Sequence, residues 1–220
     1  MILTPDNLKK ETTHILSYYS KYYCQQFIDC EYLFAKQKGH AALFSILALL
    51  ENIIKSTLND FESTFHSLIV ILEDKNLINE VELNFLNDNK IVVRKIRNIL
   101  AHANLSKYDL VVDENEITFP FTENETCLIL YESLSTIVSG LILKILKPSV
   151  ILNYEVDLDI LIDKLNFKFI IWTPEELMGS KGIPLSKEWY RLDDATKYRL
   201  IENSPNAFIL SEIFKGLNLK

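Results

Sequence analysis

Glycine and proline are scarce in this chain, which has 5 and 6 of them among 220 residues. Folds built from many short strands need these residues at their turns, so the scarcity argues against such a fold and favours long helices. Intrinsic disorder is excluded because hydrophobic residues make up 48% of the chain. A chain of this length can bury one substantial core, with room for a domain and an appended segment.

Cysteine is also rare, and its three positions form no pattern. Cys24, Cys30 and Cys127 are odd in number and lack the spacing of metal ligands, so we expect reduced thiols in a cytoplasm. The first residues, MILTPDNLKK, lack a basic flank followed by an apolar core, so no signal peptide is expected. The longest apolar runs, Ala41–Leu50 and Ile137–Leu143, are too short to cross a bilayer. We therefore expect a cytoplasmic protein without a membrane contact.

Helix signals organise most of the chain before residue 148. The run Thr4–Asp6 supplies an N-cap and a proline at the first helical position, and predicts a long helix that continues to about Lys36. A second helix is predicted over His40–Leu58, and we expect it to bend and continue to Leu72. Further helices are predicted at about Glu80–Leu86, Asn89–Ala103 and Thr122–Leu146.

After the predicted helix Asn89–Ala103, the spacing of hydrophobic residues changes from the helical period to alternation. Tyr108–Val112 and Ile117–Phe121 alternate as two short strands and predict a β-hairpin. Thr122, with Glu125 three residues later, predicts a capping box at the start of the next helix, and Pro148 stops that helix.

The fold class predicted from these signals is mainly all-α. Residues 1–147 are expected to form a bundle of four to five helices with the short hairpin, and residues 148–220 a C-terminal extension of mixed and helical structure. In the extension, Phe167–Trp172 is a strand candidate and Thr173–Glu176 is a helix start. Two short helices are expected near Lys187–Asn203 and Ala207–Gly216.

A short stretch without acidic residues carries the strongest functional signal. The net charge of the protein is -7, yet every charged residue between Asp88 and Asp109 is positive. These residues are Lys90, Arg94, Lys95, Arg97 and Lys107. A cationic strip on an acidic protein indicates a site for a specific anion rather than a surface that coats polyanions.

The helix in this stretch has two different faces. At about 100° per residue, with Arg97 at zero, the polar residues fall at roughly 60° to 160° in the order Arg94, Asn98, His102, Lys95. The opposite arc is apolar and is expected to face the core through Val92, Val93, Ile96, Ile99 and Leu100. One helix therefore presents arginine, asparagine and histidine together.

Residues Arg97–His102, RNILAH, form an Arg-x4-His motif with asparagine after the arginine, and this motif resembles the signature of the HEPN superfamily. The resemblance covers roughly residues 1–147 and implies a helical-bundle protein. It further implies a metal-independent endoribonuclease of toxin or phage-defence type, active as a homodimer, in which Arg97, Asn98 and His102 are catalytic. Some members have a tyrosine two residues after the histidine, where this chain has Asn104 and its nearest tyrosine is Tyr108.

Elementary chemistry is consistent with that implication. RNA supplies its own nucleophile, the 2′-hydroxyl, and histidine, with an ordinary pKa of about 6.5, can act as base or acid. Arg97 would neutralise charge on the phosphorane, and Asn98 would hold the phosphate or the His102 ring. Arg94, Lys95 and Lys90 would bind the RNA substrate. The expected products are a 2′,3′-cyclic phosphate and a 5′-hydroxyl, and no cofactor or metal is required.

Other interpretations of these residues stay open. His102 near a helix C-terminus is also favoured by the helix dipole, without any catalytic function. Glu51 either contacts Arg97 or His102 across the bundle as a supporting acid, or pairs with Lys55 one turn away, and we favour the Lys55 pair slightly.

Two alternatives concern other residues and the function as a whole. The alternating Glu155, Asp157 and Asp159 could bind a metal from one face of a strand, but a strand edge or a helix start is favoured. The alternative function is a non-catalytic module that binds nucleotides or RNA or only dimerises. An antitoxin or another regulatory partner is expected, and an antitoxin gene beside this one would favour the enzyme.

Overall fold

The structure is a computed structural model that describes residues 5–87, 93–102, 105–112, 117–149, 155–180 and 182–203. These residues are mainly helical, as the sequence predicts. In chain order the elements are α1 (Pro5–Tyr19), α2 (Lys21–Ala35), α3 (Gly39–Leu58), α4 (Phe65–Asp74), α5 (Glu80–Asn87), α6 (Val93–His102), β1 (Tyr108–Val112), β2 (Ile117–Pro120), α7 (Asn124–Leu146), α8 (Asp159–Asp163), β3 (Phe167–Ile171), α9 (Pro174–Ser180) and α10 (Asp194–Asn203). Short 3₁₀ turns span Leu105–Lys107 and Trp189–Arg191.

The first predicted helix is two helices, so the prediction of one continuous helix to Lys36 is wrong. Ser20 has extended backbone, with φ -159° and ψ 118°, and its hydroxyl accepts a hydrogen bond from the N–H of Tyr23 as the N-cap of α2. Serine competes for backbone donors in this way, which is why it favours helix starts over helix interiors. α2 then folds back along α1, since Lys9 Nζ lies 2.9 Å from the carboxylate of Glu31.

The second predicted helix ends at Leu58 as expected but does not continue to Leu72. Asn59 takes the left-handed conformation, with φ 51°, which asparagine tolerates well. Thr64 then caps a separate helix, α4, by accepting from the N–H of Ser67. With these two breaks, the described residues up to 147 form seven α-helices, where four to five were predicted.

Helices α3 and α7 form the centre of the bundle, and most of their apolar residues are almost fully buried, although Phe44 of α3 is exposed. They approach closely at Gly39, where a Cβ atom would lie 2.3 Å from the carbonyl oxygen of Asn124. The Asn124 side chain accepts from the N–H of Gly39 at 2.7 Å and donates to the carbonyl of Gln37 at 3.0 Å. The predicted capping box of Thr122 and Glu125 is not the cap of α7, because the N-cap residue is Glu123 and no side chain caps it. The cross-helix bonds of Asn124 join the starts of α3 and α7 instead.

Helices α3 and α7 are both longer than the apolar runs Ala41–Leu50 and Ile137–Leu143 that they contain. By length and composition α3 and α7 could cross a membrane, although the buried shares of their most apolar windows are 50% and 72%. Core helices of soluble bundles have the same length and composition, and these two helices pack against each other.

The three strands form one antiparallel sheet in the order β2-β1-β3. The predicted hairpin of β1 and β2 is confirmed, with Leu110 opposite Phe119. β3, the predicted strand of the C-terminal extension, pairs with the other edge of β1. Phe167 of this strand and the preceding Leu158 belong to the same hydrophobic core as the bundle. The sheet therefore joins the C-terminal segment to the bundle beside α6.

A second, smaller hydrophobic cluster lies in the C-terminal segment. It consists of Leu177, Met178, Trp189, Tyr198 and Ile201. The predicted helix start is confirmed, because Thr173 and Glu176 exchange hydrogen bonds in a capping box at the beginning of α9. Glu175 accepts from Lys197 at 2.7 Å and from the Trp189 indole at 3.0 Å, which ties α9 to α10.

Candidate functional site

Helix α6 is anchored by its apolar arc, as the helical wheel predicts. Val93, Ile96 and Ile99 are buried against α3 and α5, and Leu100 is half-buried. Val92 lies outside the described residues. The polar arc consequently faces outward, and Asn98 and His102 are exposed one turn apart.

This polar arc forms one wall of a pocket of about 360 Å³. Arg94, Lys95, Asn98 and His102 line it from α6, and Tyr108 of β1 and Ile171 of β3 line it from the sheet. The structure thus brings together four of the predicted site residues. Lys90, predicted to bind substrate, lies outside the described residues.

Arg97 lies beside this pocket and does not line it. Its Nη2 atom donates to Oε2 of Glu51 on α3 at 2.7 Å, and its Nη1 atom donates to the side-chain oxygen of Asn98 at 3.1 Å. The other carboxylate oxygen of Glu51 lies 3.0 Å from Lys55 Nζ. Glu51 therefore makes both of the contacts that the sequence left as alternatives, the one with Arg97 and the one with Lys55.

The two cations that line the pocket are each held by a neighbouring element. Arg94 donates through Nη2 to the carbonyl oxygen of Asn87, at the end of α5, at 3.1 Å. Lys95 Nζ lies 4.9 Å from the centre of the Phe169 ring on β3, a cation–π distance. Partial burial lowers the pKa of Lys95 below its ordinary value, because it disfavours the charged form.

The C-terminal segment contacts the 3₁₀ turn Leu105–Lys107 that precedes β1. The N–H of Trp172 donates to the carbonyl of Lys107 at 2.9 Å, and the hydroxyl of Tyr198 donates to the carbonyl of Trp172 at 2.6 Å. Lys107 Nζ also lies 5.9 Å from the centre of the Tyr198 ring. Lys107, at the entry to β1, is therefore held by Trp172 after β3 and by Tyr198 of α10.

Sequence reasoning did not identify the sheet wall of the pocket. Tyr108 and Ile171 are directly opposite each other on β1 and β3, but they lie far apart in the chain. Both strands were predicted, yet pairing between them requires a register that no local pattern specifies. The one available signal was that both strands carry large apolar residues at alternate positions.

The acidic residues 155, 157 and 159 do not line this pocket. Asp159 begins α8, in agreement with the helix-start interpretation, and accepts from the side chain of Asn79 at 2.9 Å. Its backbone N–H donates to Asp157 at 3.1 Å. Within the described ranges, no group of three histidine, cysteine, aspartate or glutamate side chains is arranged to hold a metal ion.

The side chains that line the pocket are of the kinds that bind anionic groups and transfer protons. Its cations supply charge and forked hydrogen bonds to a phosphate, and His102 supplies an accessible imidazole. Its sheet wall adds an aromatic and an aliphatic surface. No protein-family model, no curated protein and no solved structure matches this chain.

Proposed function

We propose that this protein is an endoribonuclease of toxin or phage-defence type that cleaves RNA without a metal ion. One observation carries the proposal: the exposed His102 and Asn98 share a pocket with Arg94 and Lys95, and Arg97 is held at its edge. The resemblance of RNILAH to the HEPN signature supports the same reaction. We further propose that the protein acts in the cytoplasm and away from membranes.

The proposed reaction is a transesterification followed by product release. The ribose 2′-oxygen attacks the adjacent phosphorus while the bond from phosphorus to the 5′-oxygen breaks. A base removes the 2′ proton and an acid protonates the departing 5′-oxygen, which gives a 2′,3′-cyclic phosphate and a 5′-hydroxyl. His102 fills one of these roles, and His102 of a second subunit fills the other.

The arginines stabilise the charge that develops on the phosphorane oxygens. The Glu51 and Asn98 bonds occupy two of the five N–H donors of Arg97 and fix its guanidinium plane, so the remaining donors are oriented before the substrate binds. Asn98 accepts from Arg97 through its oxygen, and its amide N–H groups supply donors for the phosphate. Arg94 and Lys95 then hold the backbone of the bound RNA.

One observation favours the second candidate, a module that binds nucleotides or RNA without cleaving them. Arg97 already pairs with Glu51, and the pocket is lined by Arg94 and Lys95 instead. In that case the same side chains would bind the nucleotide or RNA without cleaving it. An antitoxin or regulatory partner would then respond to the bound nucleic acid, whereas with an enzyme it would inhibit cleavage.

Cleavage of a mixed-sequence RNA in the presence of EDTA separates the two candidates. An endoribonuclease should produce cyclic-phosphate and 5′-hydroxyl ends, should not cleave DNA of the same sequence, and should be inactive as His102→Ala. A single 2′-deoxy position in an otherwise ribose substrate should protect only the bond that follows it. Activity that appears only with a divalent ion would contradict the mechanism, and RNA binding without turnover would favour the binding module.

A further inference from the structure

The pocket has two chemically different walls, and the sheet wall has no task in phosphate chemistry. Tyr108 and Ile171 are cross-strand partners, so their side chains stand side by side on one face of the sheet. The next pair on this face is Leu110 and Phe169, and both pack into the hydrophobic core. Tyr108 and Ile171 therefore continue the apolar face beyond the core, at the point where it meets the pocket.

This apolar pair remains accessible from solvent. Ile171 is 53% exposed and Tyr108 is half-buried. Across the pocket, Asn98 and His102 are exposed on α6. A ligand that fills the pocket therefore meets an aromatic and aliphatic surface on one side, and cations, an amide and an imidazole on the other.

A nucleotide has this combination of groups. Its phosphate suits Arg94 and Lys95, whereas the flat face of a base stacks on an aromatic ring without regard to sequence. The amide of Asn98 can both donate and accept at the edge of a base, as asparagine side chains commonly do. An inorganic anion would leave the sheet wall uncovered.

From this arrangement we infer that the Tyr108–Ile171 pair is a nucleobase subsite, which stacks a base next to the phosphate bound at His102. The inference rests on the proposed function for its place in RNA cleavage, and it names the part of the substrate that the pocket selects. Tyr108 supplies the stacking surface and Ile171 closes the apolar side. The Asn98 amide has two N–H donors, so one can serve the phosphate while the other contacts the base edge.

Binding of matched small phosphates to the intact protein tests the subsite directly. Titration calorimetry would compare the four nucleoside 5′-monophosphates with ribose 5-phosphate, which lacks the base, and with phenyl phosphate, which has a ring without a hydrogen-bonding edge. The nucleotides should bind about 5- to 150-fold more tightly than ribose 5-phosphate, the range expected for one stacked base. Phenyl phosphate should fall between them.

Variants assign the preference to the sheet wall. Tyr108→Ala should remove most of the nucleotide preference and leave ribose 5-phosphate affinity unchanged, whereas Tyr108→Phe should retain the preference. Tyr18→Ala is the matched control, since Tyr18 is 73% exposed on α1. If Tyr108→Ala does not fold, Ile171→Ala at its exposed position should weaken the preference, with Ile160→Ala on α8 as its control.

Three results would overturn the inference. The first is equal affinity for nucleotides and ribose 5-phosphate, and the second is phenyl phosphate that binds as tightly as the nucleotides. The third is an undiminished preference for nucleotides over ribose 5-phosphate in both Tyr108→Ala and Ile171→Ala. Nucleotide preference without RNA cleavage would overturn the ribonuclease proposal and leave the subsite intact. RNA cleavage by a protein that binds nucleotides and ribose 5-phosphate equally, and whose cleavage rate is unchanged in Tyr108→Ala and Ile171→Ala, would do the opposite.

Discussion

Arg97 of α6 and Glu51 of α3 form an ion pair in which Nη2 and Oε2 are 2.7 Å apart. Glu51 is buried, at 8% exposure, whereas the side chain of Arg97 retains 29%. Lys55 contacts the second carboxylate oxygen, so one buried acid orients two cations. Because the pair joins a core helix to the motif helix, it fixes the guanidinium at the edge of the pocket before any anion binds.

The first prediction concerns Glu51→Gln. The variant keeps an oxygen acceptor but removes the charge, so Arg97 loses its orientation and two partly buried cations lose their partner. We expect a loss of about 1–3 kcal/mol in the free energy of unfolding, measured with urea. RNA cleavage should lose kcat with KM nearly unchanged, because Arg97 acts on charge that develops in the transition state.

Glu132→Gln is the matched control for Glu51→Gln, since Glu132 is exposed on α7. It should leave both the stability and the cleavage rate unchanged. If Glu51→Gln lost stability but kept the wild-type kcat, Glu51 would support the fold alone and would have no part in positioning Arg97.

The second prediction concerns the two motif residues themselves. His102→Ala and Arg97→Ala should each lower the cleavage rate by at least about a hundredfold, the usual contribution of acid–base or charge-stabilising groups. Neither change should open a core cavity, because His102 is exposed and Arg97 is only partly buried. Circular dichroism should therefore match that of the wild type.

Arg97→Lys separates charge from geometry. Lysine retains the positive charge but lacks the planar fork, so an intermediate rate is expected. The controls are His14→Ala and Arg191→Ala, both at exposed positions. Wild-type cleavage by His102→Ala would move the catalytic site away from α6.

Local signals in the sequence predicted most elements that lie near the site. The alternation in β1 and β2 predicted the hairpin, and the residues after Trp172 predicted the start of α9. The helical period of α6 assigned both of its faces. These features depend on neighbours within one or two turns, so the sequence contains enough information for them.

Features that depend on long-range packing were missed or were left open as alternatives. Ser20 interrupts an apolar-periodic run, and the run alone cannot reveal that α2 folds back on α1. The pairing of Tyr108 with Ile171 depends on how the C-terminal segment returns to the bundle. Glu51 and Arg97 meet only because of the rotation of two helices about their own axes, which no single sequence determines.

A third prediction follows from the pKa of Lys95, which burial lowers. Anion binding needs the charged amine, so the affinity for inorganic phosphate should fall as the pH rises through this lowered pKa, before an ordinary lysine would lose its charge. Lys95→Arg should move this alkaline limit to higher pH, because a guanidinium stays charged. The measurement is phosphate titration between about pH 8 and 11, and Lys168→Arg at an exposed position of β3 is the control.

Deprotonation of Lys95 has opposite effects on phosphate binding and on the stability of the fold. Because burial lowers the pKa of Lys95, the charged amine destabilises the folded protein. This destabilisation is smallest once the pH exceeds the ordinary lysine pKa. Loss of phosphate binding therefore cannot come from unfolding driven by Lys95. An alkaline limit that is the same in the wild type and in Lys95→Arg would remove Lys95 from the anion site.

The fourth prediction concerns the thiols. Burial is the main cause that raises the pKa of Cys30 to about 12, with the charges of Glu31 and Asp29 adding to it, and burial alone raises the pKa of Cys127 to about 12. Cys24 is only half-buried. A disulfide reagent near pH 8 should therefore modify Cys24 in the folded protein and all three thiols after denaturation. Rapid reaction of a second native thiol would contradict the burial of these residues.

The raised thiol pKa values also set the direction of alkaline unfolding. The ordinary thiol pKa is 9.0 and the folded values are about 12, so the unfolded chain loses these protons first. The stabilisation is fully present below pH 9.0 and is lost as the pH rises toward about 12. Urea midpoints should fall across this interval, and Cys24→Ser should retain the fall while it removes the fast native reaction.

The last prediction is a homodimer whose interface includes the motif helix over Asn89–Ala103, of which the structure describes Val93–His102. One motif helix offers a single imidazole, yet cleavage needs an acid and a base on opposite sides of the scissile phosphate. A two-fold axis supplies both from one gene and doubles the cations that hold the backbone. It also brings Arg94, Arg97 and their symmetry copies close together, where their positive charges repel. Phosphate bound between the two His102 side chains should offset this repulsion and strengthen the dimer.

Light scattering across a concentration series, with and without phosphate, should therefore give a dimer whose dissociation shifts to lower concentration when phosphate is present.

Mixing wild-type protein with His102→Ala then tests whether the site is shared. If each site needs both imidazoles, an equal mixture that exchanges subunits should retain about a quarter of the wild-type activity, whereas independent sites would retain about a half. His14→Ala should leave the activity of the mixture unchanged. A strict monomer at micromolar concentration would contradict the shared site, as would a linear loss of activity with added variant, because either result would require both proton transfers to occur within one subunit.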